Sequence, residues 1–166
     1  MSPRLPAAAI ALGFAGLIPF IVLGIAAVAE QDAVTAARYL LALVGYGAVV
    51  LAFLGGVHWG FILHPGAPEG LAPDARRDAT RLGLGVLPSL IGWAALLTPE
   101  FGVPEIGLAV LIAGYLATVI GEHQLRRRGA ALSGGYMALR WGLSVVVIVV
   151  LVTVLALRLI GATIRF

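Results

Sequence analysis

His58, Glu122 and Arg140 are ionisable side chains that sit in or beside apolar sequence in this chain. His58 belongs to the run Tyr46-Gly47-Ala48-Val49-Val50-Leu51-Ala52-Phe53-Leu54-Gly55-Gly56-Val57-His58-Trp59-Gly60, which carries almost no other polar group. An ionisable residue is costly at membrane depth, so function is its default reading. Three chemistries are open to it. The imidazole can handle a proton or a ligand. It can ligate a metal or haem, since Gly55 and Gly56 would let a macrocycle come close. It can also be a structural histidine bonded to a neighbouring helix, with Trp59 as an interfacial anchor. A bis-histidine haem site needs a second deep histidine. The other two are poorly placed for it: His64 precedes Pro65 in a loop, and His123 ends an apolar segment. Glu122 and His123 are adjacent, so on a helix they point about 100° apart and make a weak metal pair. With no cysteine there is no thiolate chemistry. The expectation is no metal and no cofactor, with haem through His58 as the lesser alternative.

The elements that must hold these groups are apolar segments at about 7–29, 39–63, 82–97, 106–121 and 139–160. A helix of about 20 residues covers the ~30 Å hydrocarbon core. Composition agrees: 61% of the 166 residues are hydrophobic and 11% charged, against roughly 25% charged in a soluble domain. Too few polar side chains remain to cover a water-facing surface. The reading is an all-α polytopic membrane protein, a five-helix bundle forming a single transmembrane domain over residues 1–166. Residues 7–29 are long enough for a retained span rather than a cleaved signal segment.

The formal charge is +3, and all 11 basic residues are arginines. No basic face is broad enough for a polyanion, so nucleic acid is not an expected partner. The arginines read instead as a topology signal. Eight of them (Arg4, Arg76, Arg77, Arg81, Arg126, Arg127, Arg128 and Arg140) fall on one side, and three (Arg38, Arg158 and Arg165) on the other. This bias puts the N-terminus in the cytoplasm and the C-terminus in the periplasm or outside.

Within the second segment, Ala48, Ala52, Gly56 and Gly60 recur every four residues, with Gly55 beside them. Small residues at this spacing let two helices approach closely, so this helix is expected at the centre of the bundle. Pro19 and Pro88 are expected to kink their helices and to free carbonyls that need partners inside the bundle; Ser89 is one candidate donor. At an offset of about 69 residues, Gly16-Leu17-Ile18-Pro19 falls on Gly85-Val86-Leu87-Pro88, and Gly45-Tyr46 on Gly114-Tyr115. A 2+2 parallel helix-hairpin repeat plus a fifth helix is one reading. Chance matching in a chain rich in Gly, Ala, Val and Leu is the other. The topology brings His58, Trp59, Tyr46, Glu122 and Arg140 toward one membrane face as a candidate polar cluster, in which Glu122 and Arg140 can pair.

These residues also carry a resemblance. Gly16-Leu17-Ile18-Pro19-Phe20, the segment from Tyr46 through Gly55-Gly56-Val57-His58-Trp59-Gly60, Leu87-Pro88-Ser89 with Trp93, and Tyr136 with Leu139-Arg140 together resemble the domain of unknown function 3429 family. Its members are transmembrane protein 69-like proteins of inner membranes. Two positions depart from the expected pattern: Ala52 stands where a serine is expected, and Gly135-Tyr136 where a Trp-Tyr pair is expected. The resemblance implies a bacterial inner-membrane location and carries no reaction with it.

No H-E-x-x-H, G-x-S-x-G or paired intramembrane carboxylates occur. The expected function is therefore a non-enzymatic scaffold, assembly or accessory component of a membrane complex. Its partners would be the lipid bilayer and other membrane proteins or further copies of itself. The alternatives are a small oligomeric transporter, channel or proton pathway using His58, and a cofactor-binding membrane protein.

Overall fold

The computed structural model describes residues 6–63, 75–127 and 134–164. The chain is helical, with α1 (Ala7–Ala15), α2 (Ile18–Ala29), α3 (Ala33–Leu63), α4 (Ala75–Leu97), α5 (Pro104–Arg127) and α6 (Gly134–Ile164). α1 and α2 are the two halves of the first span. Among the described residues, four spans are long and apolar enough to cross a membrane: Ala7–Ala29, Ala33–Val57, Pro104–Gln124 and Gly134–Gly161. The apolar part of α4, Gly85–Phe101, is shorter. Arg4, His64, Arg128 and Arg165 lie outside the described residues, as do the side chains of His58, Arg76, Arg77, Arg81 and Arg126.

Each helix from α3 onward runs beyond the segment read from hydropathy at one or both ends. α3 begins at Ala33 and α6 at Gly134, six and five residues before the apolar segments at 39 and 139. Hydropathy marks where lipid begins, whereas capping and sequence breaks decide where a helix ends. Asp32 shows this for α3. Its carboxylate accepts the Thr35 amide at 2.9 Å and the Thr35 hydroxyl at 2.6 Å, satisfying a free N–H of the first turn. These same bonds hold the Asp32 carboxyl below the usual carboxylate range.

α4 stops at Leu97 and a 3-10 turn follows over Thr98–Phe101. Gly102 then takes a left-handed conformation (φ 75°) and Pro104 opens α5. Proline suits a first helical position, where no N–H is needed.

The first span is broken where the proline reading placed a kink, slightly earlier in the chain. α1 ends at Ala15, the Leu17 amide turns back to the Phe14 carbonyl at 3.0 Å, and Pro19 is the second residue of α2. α4, by contrast, continues as a helix through Pro88, and Ser89 lies on its exposed surface.

The helices close into a ring: α2 packs on α3, α3 on α4, α4 on α5, α5 on α6, and α6 returns to α2. α3 also touches α5 across the middle, the central position its small residues suggested. Its inward residues Leu40, Leu43, Val44, Ala48 and Leu51 follow helical spacing and meet Leu108, Leu111 and Tyr115 of α5 in one core. Outside, large apolar side chains such as Leu12, Phe53 and Val149 are exposed, whereas Thr118, Glu122, Arg140 and Ser144 are buried. Polar inside and apolar outside is what a lipid solvent selects.

Candidate functional site

The break in the first span leaves the Gly16 carbonyl without a helical partner, and the Tyr46 hydroxyl of α3 donates to it at 2.9 Å. The break thus draws on a neighbouring helix for the bond its own helix cannot make. Phe20 of α2 packs edge-on to the Tyr46 ring (centroids 5.0 Å apart) and to the Tyr115 ring (6.3 Å). Tyr115 donates its hydroxyl to the Gly47 carbonyl at 2.9 Å. Tyr46 and Tyr115, matched in the repeat reading, therefore both bond a backbone oxygen on another helix, but at non-equivalent positions. Tyr46→Phe orphans the Gly16 carbonyl and is expected to destabilise the bundle by about 1–2 kcal/mol. Thermal unfolding in detergent checks this, and an unchanged midpoint would count against the bond's role.

Toward the same end of the bundle, Arg140 of α6 grips Glu122 of α5 with two parallel bonds. Nε to Oε2 is 3.0 Å and Nη2 to Oε1 is 2.8 Å, with side-chain exposures of 5% and 2%. Fork-to-fork pairing is the strongest geometry available to these groups. Arg140 counted above among the loop arginines. It is instead an interior ion pair, which leaves the bias at seven to three. Tyr136 lies one turn before Arg140 on α6 and is half-buried. His123, next to Glu122, is exposed and packs edge-on to Trp141 with centroids 6.1 Å apart.

On the other side of Arg140 is a cavity of about 260 Å³, bounded by α1, α2, α3, α5 and α6. Tyr46, Tyr115, Arg140 and Ser144 contribute its polar groups; Leu12, Phe20, Val50, Phe53, Leu143 and Val147 are among its apolar walls. Ser144 was not singled out from sequence. Its one signal is spacing, four residues after Arg140 and so on the same face of α6.

Of the sequence-nominated cluster, the structure brings Glu122 to Arg140, and Arg140 to Tyr46 across this cavity. Trp59 is elsewhere, lying over Gly85 on the α3–α4 face. His58 is in α3, but its side chain lies outside the described residues, and the haem alternative turns on it. Among the described residues no group of three or more His, Cys, Asp or Glu is placed to hold a metal.

The packing glycines divide. A Cβ on Gly55 would run into the Gly85 carbonyl, and one on Gly92 would lie 2.9 Å from the Ala48 carbonyl oxygen. Ala52 is partly covered on the same helix. A Cβ on Gly56 would meet nothing within 4 Å, and the surroundings of Gly60 are outside the description.

A second pair, unforeseen from sequence, closes the opposite end. Arg158 Nε of α6 meets Glu105 Oε1 of α5 at 3.1 Å, both partly exposed. Exposed pairs of this kind contribute about 0–1 kcal/mol.

The family model described as Protein of unknown function (DUF3429) matches residues 5–156, which takes in the helix break, both tyrosines and the Glu122–Arg140 pair. The chain is 39% identical over 95 residues to Transmembrane protein 69 of Xenopus tropicalis, covering 55% of this chain and 33% of that protein. It is 35% identical over 95 residues to Transmembrane protein 69 of Mus musculus, covering 57% and 36%. The chain therefore spans about a third of the length of these relatives. No solved structure matches it. With apolar helices of spanning length and a family match over nearly its whole length, the chain is a membrane protein and belongs to the DUF3429 family.

Proposed function

We propose that the protein is a non-enzymatic scaffold or accessory component of a bacterial inner-membrane complex, with its N-terminus in the cytoplasm. The observation that carries this reading is how the polar side chains of the spans are used. Glu122 and Arg140 join α5 to α6, Tyr46 joins α3 to the broken first span, and Tyr115 joins α5 to α3. Thr118 bonds back to the Gly114 carbonyl of its own helix at 2.8 Å. Polar groups spent this way make a rigid, uniquely registered bundle, which suits a component that presents a shaped apolar surface to neighbours.

Mild-detergent purification from the native host tests the role: partner proteins are expected to copurify in fixed ratio. A lone monomer without partners would reject it. The arginine bias supports the orientation. The chain has no cysteine, so single cysteines report cleanly. Gln31→Cys, in the exposed turn before α3, is expected to react with a membrane-impermeant maleimide in intact cells, and Gln124→Cys only after lysis. The reverse pattern would invert the topology.

A further inference from the structure

We infer that the cavity beside Arg140 is a binding site for the uncharged carbonyl end of a membrane amphiphile, whose apolar chain leaves sideways into lipid. Four observations converge on this ligand.

The first is an unsatisfied donor. Ser144 is 4% exposed and lines the cavity, and among the described residues its hydroxyl has no hydrogen-bond partner. A buried hydroxyl without a partner is rare and marks a place where something else supplies the acceptor. The second is Arg140, which carries five N–H groups and commits only two of them to Glu122. The cavity floor therefore offers donors. The Tyr46 and Tyr115 protons do not compete, because they are already given to the Gly16 and Gly47 carbonyls.

The third observation is charge. Arg140 already meets the Glu122 carboxylate at bonding distance, so it does not stand as a free cation to draw an anionic head into a low-dielectric site. A carbonyl brings a strong acceptor and no charge. The fourth is shape and depth. Leu12 and Phe53, 73% and 70% exposed, stand at the rim, on the lipid-facing surfaces of α1 and α3. At about 260 Å³ the cavity is smaller than the roughly 300–1,000 Å³ usual for whole ligands. It takes a head and the first carbons of a chain, and the rest runs out between those two side chains.

An uncharged carbonyl on an apolar chain has two sources in a membrane, a quinone ring and a glycerol ester. Thermal unfolding of the full chain in detergent separates them, using decylubiquinone, dioctanoylglycerol and laurate at neutral pH as probes. One of the two neutral probes is expected to raise the midpoint with concentration, and which one does so identifies the source. Ser144→Ala is expected to weaken that response about fivefold, and Ser144→Leu, which fills the space, to abolish it. Should Ser144→Leu fail to fold, Ser144→Ala carries the test. Stabilisation by laurate alone, by none of the three, or equally in wild type and Ser144→Ala overturns the assignment. Copurifying proteins do not enter this readout, so it stands or falls separately from the scaffold role.

Discussion

Glu122→Leu is expected to destabilise the bundle by about 3–5 kcal/mol, and the double change Glu122→Leu with Arg140→Met to recover most of that loss. In the single variant the Arg140 guanidinium, 5% exposed, keeps its charge in a nearly dry interior and loses the carboxylate that matched it with two bonds. The Coulomb attraction of the intact pair is large at this depth, but so is the cost of taking both ions out of water. These terms nearly offset one another when both partners are present. Removing one partner leaves only the cost. Replacing both with apolar side chains of similar volume removes attraction and cost together. Arg140→Met alone is expected to destabilise as well, because buried Glu122 then loses the two bonds that the guanidinium gives it. Chemical or thermal unfolding of the four proteins in detergent closes the cycle. Additive effects of the two single changes would show that the pair is not one energetic unit.

Gly55→Ala is expected to cost about 1–3 kcal/mol, whereas Gly56→Ala, one residue along, leaves stability unchanged or slightly raised. The new methyl at Gly55 meets the Gly85 carbonyl and approaches the Pro88 ring, and neither backbone nor proline can swing away. α3 and α4 would have to separate. That would also loosen the contacts of Gly92 with Ala48 and of Trp59 with Gly85, made along the same seam. At Gly56 the methyl enters open space and only the helix preference of alanine over glycine acts. Comparing the two thermal midpoints decides the matter. Equal losses would mean that the seam lies on a different face of α3.

The contrast between Gly55 and Gly56 shows where sequence reading reached and where it stopped. A four-residue spacing of Ala48, Ala52, Gly56 and Gly60 names a face that can pack closely. Gly55 is only one residue away, though, and a face 100° round the helix fits almost as well. The partner surface of α4 chooses between them, and spacing on α3 alone contains no information about α4. Asp32 makes the same point for helix ends. Its cap lies in polar sequence that a hydropathy count ignores, so the apolar segment at 39 began late.

What the amino-acid sequence determined by itself was the solvent and the number of elements. A chain with 61% hydrophobic and 11% charged residues cannot be covered by polar side chains, and most of its apolar stretches reach the thickness of a bilayer. Some of the polar groups in or beside those stretches were also legible, because burying a charge is costly; Thr118 and Ser144, buried as well, were not. Glu122 and Arg140 could be matched on charge and predicted topology alone. Only the tertiary structure decided what lies around them. The cavity exists because the first span breaks at Gly16-Leu17, Tyr46 closes that break from another helix, and α6 turns Ser144 and Arg140 to the same side. The break is local to the first span, beside Pro19, but the other two facts depend on the rotation of one helix against another. Packing of the whole bundle sets that rotation, and no single segment carries it.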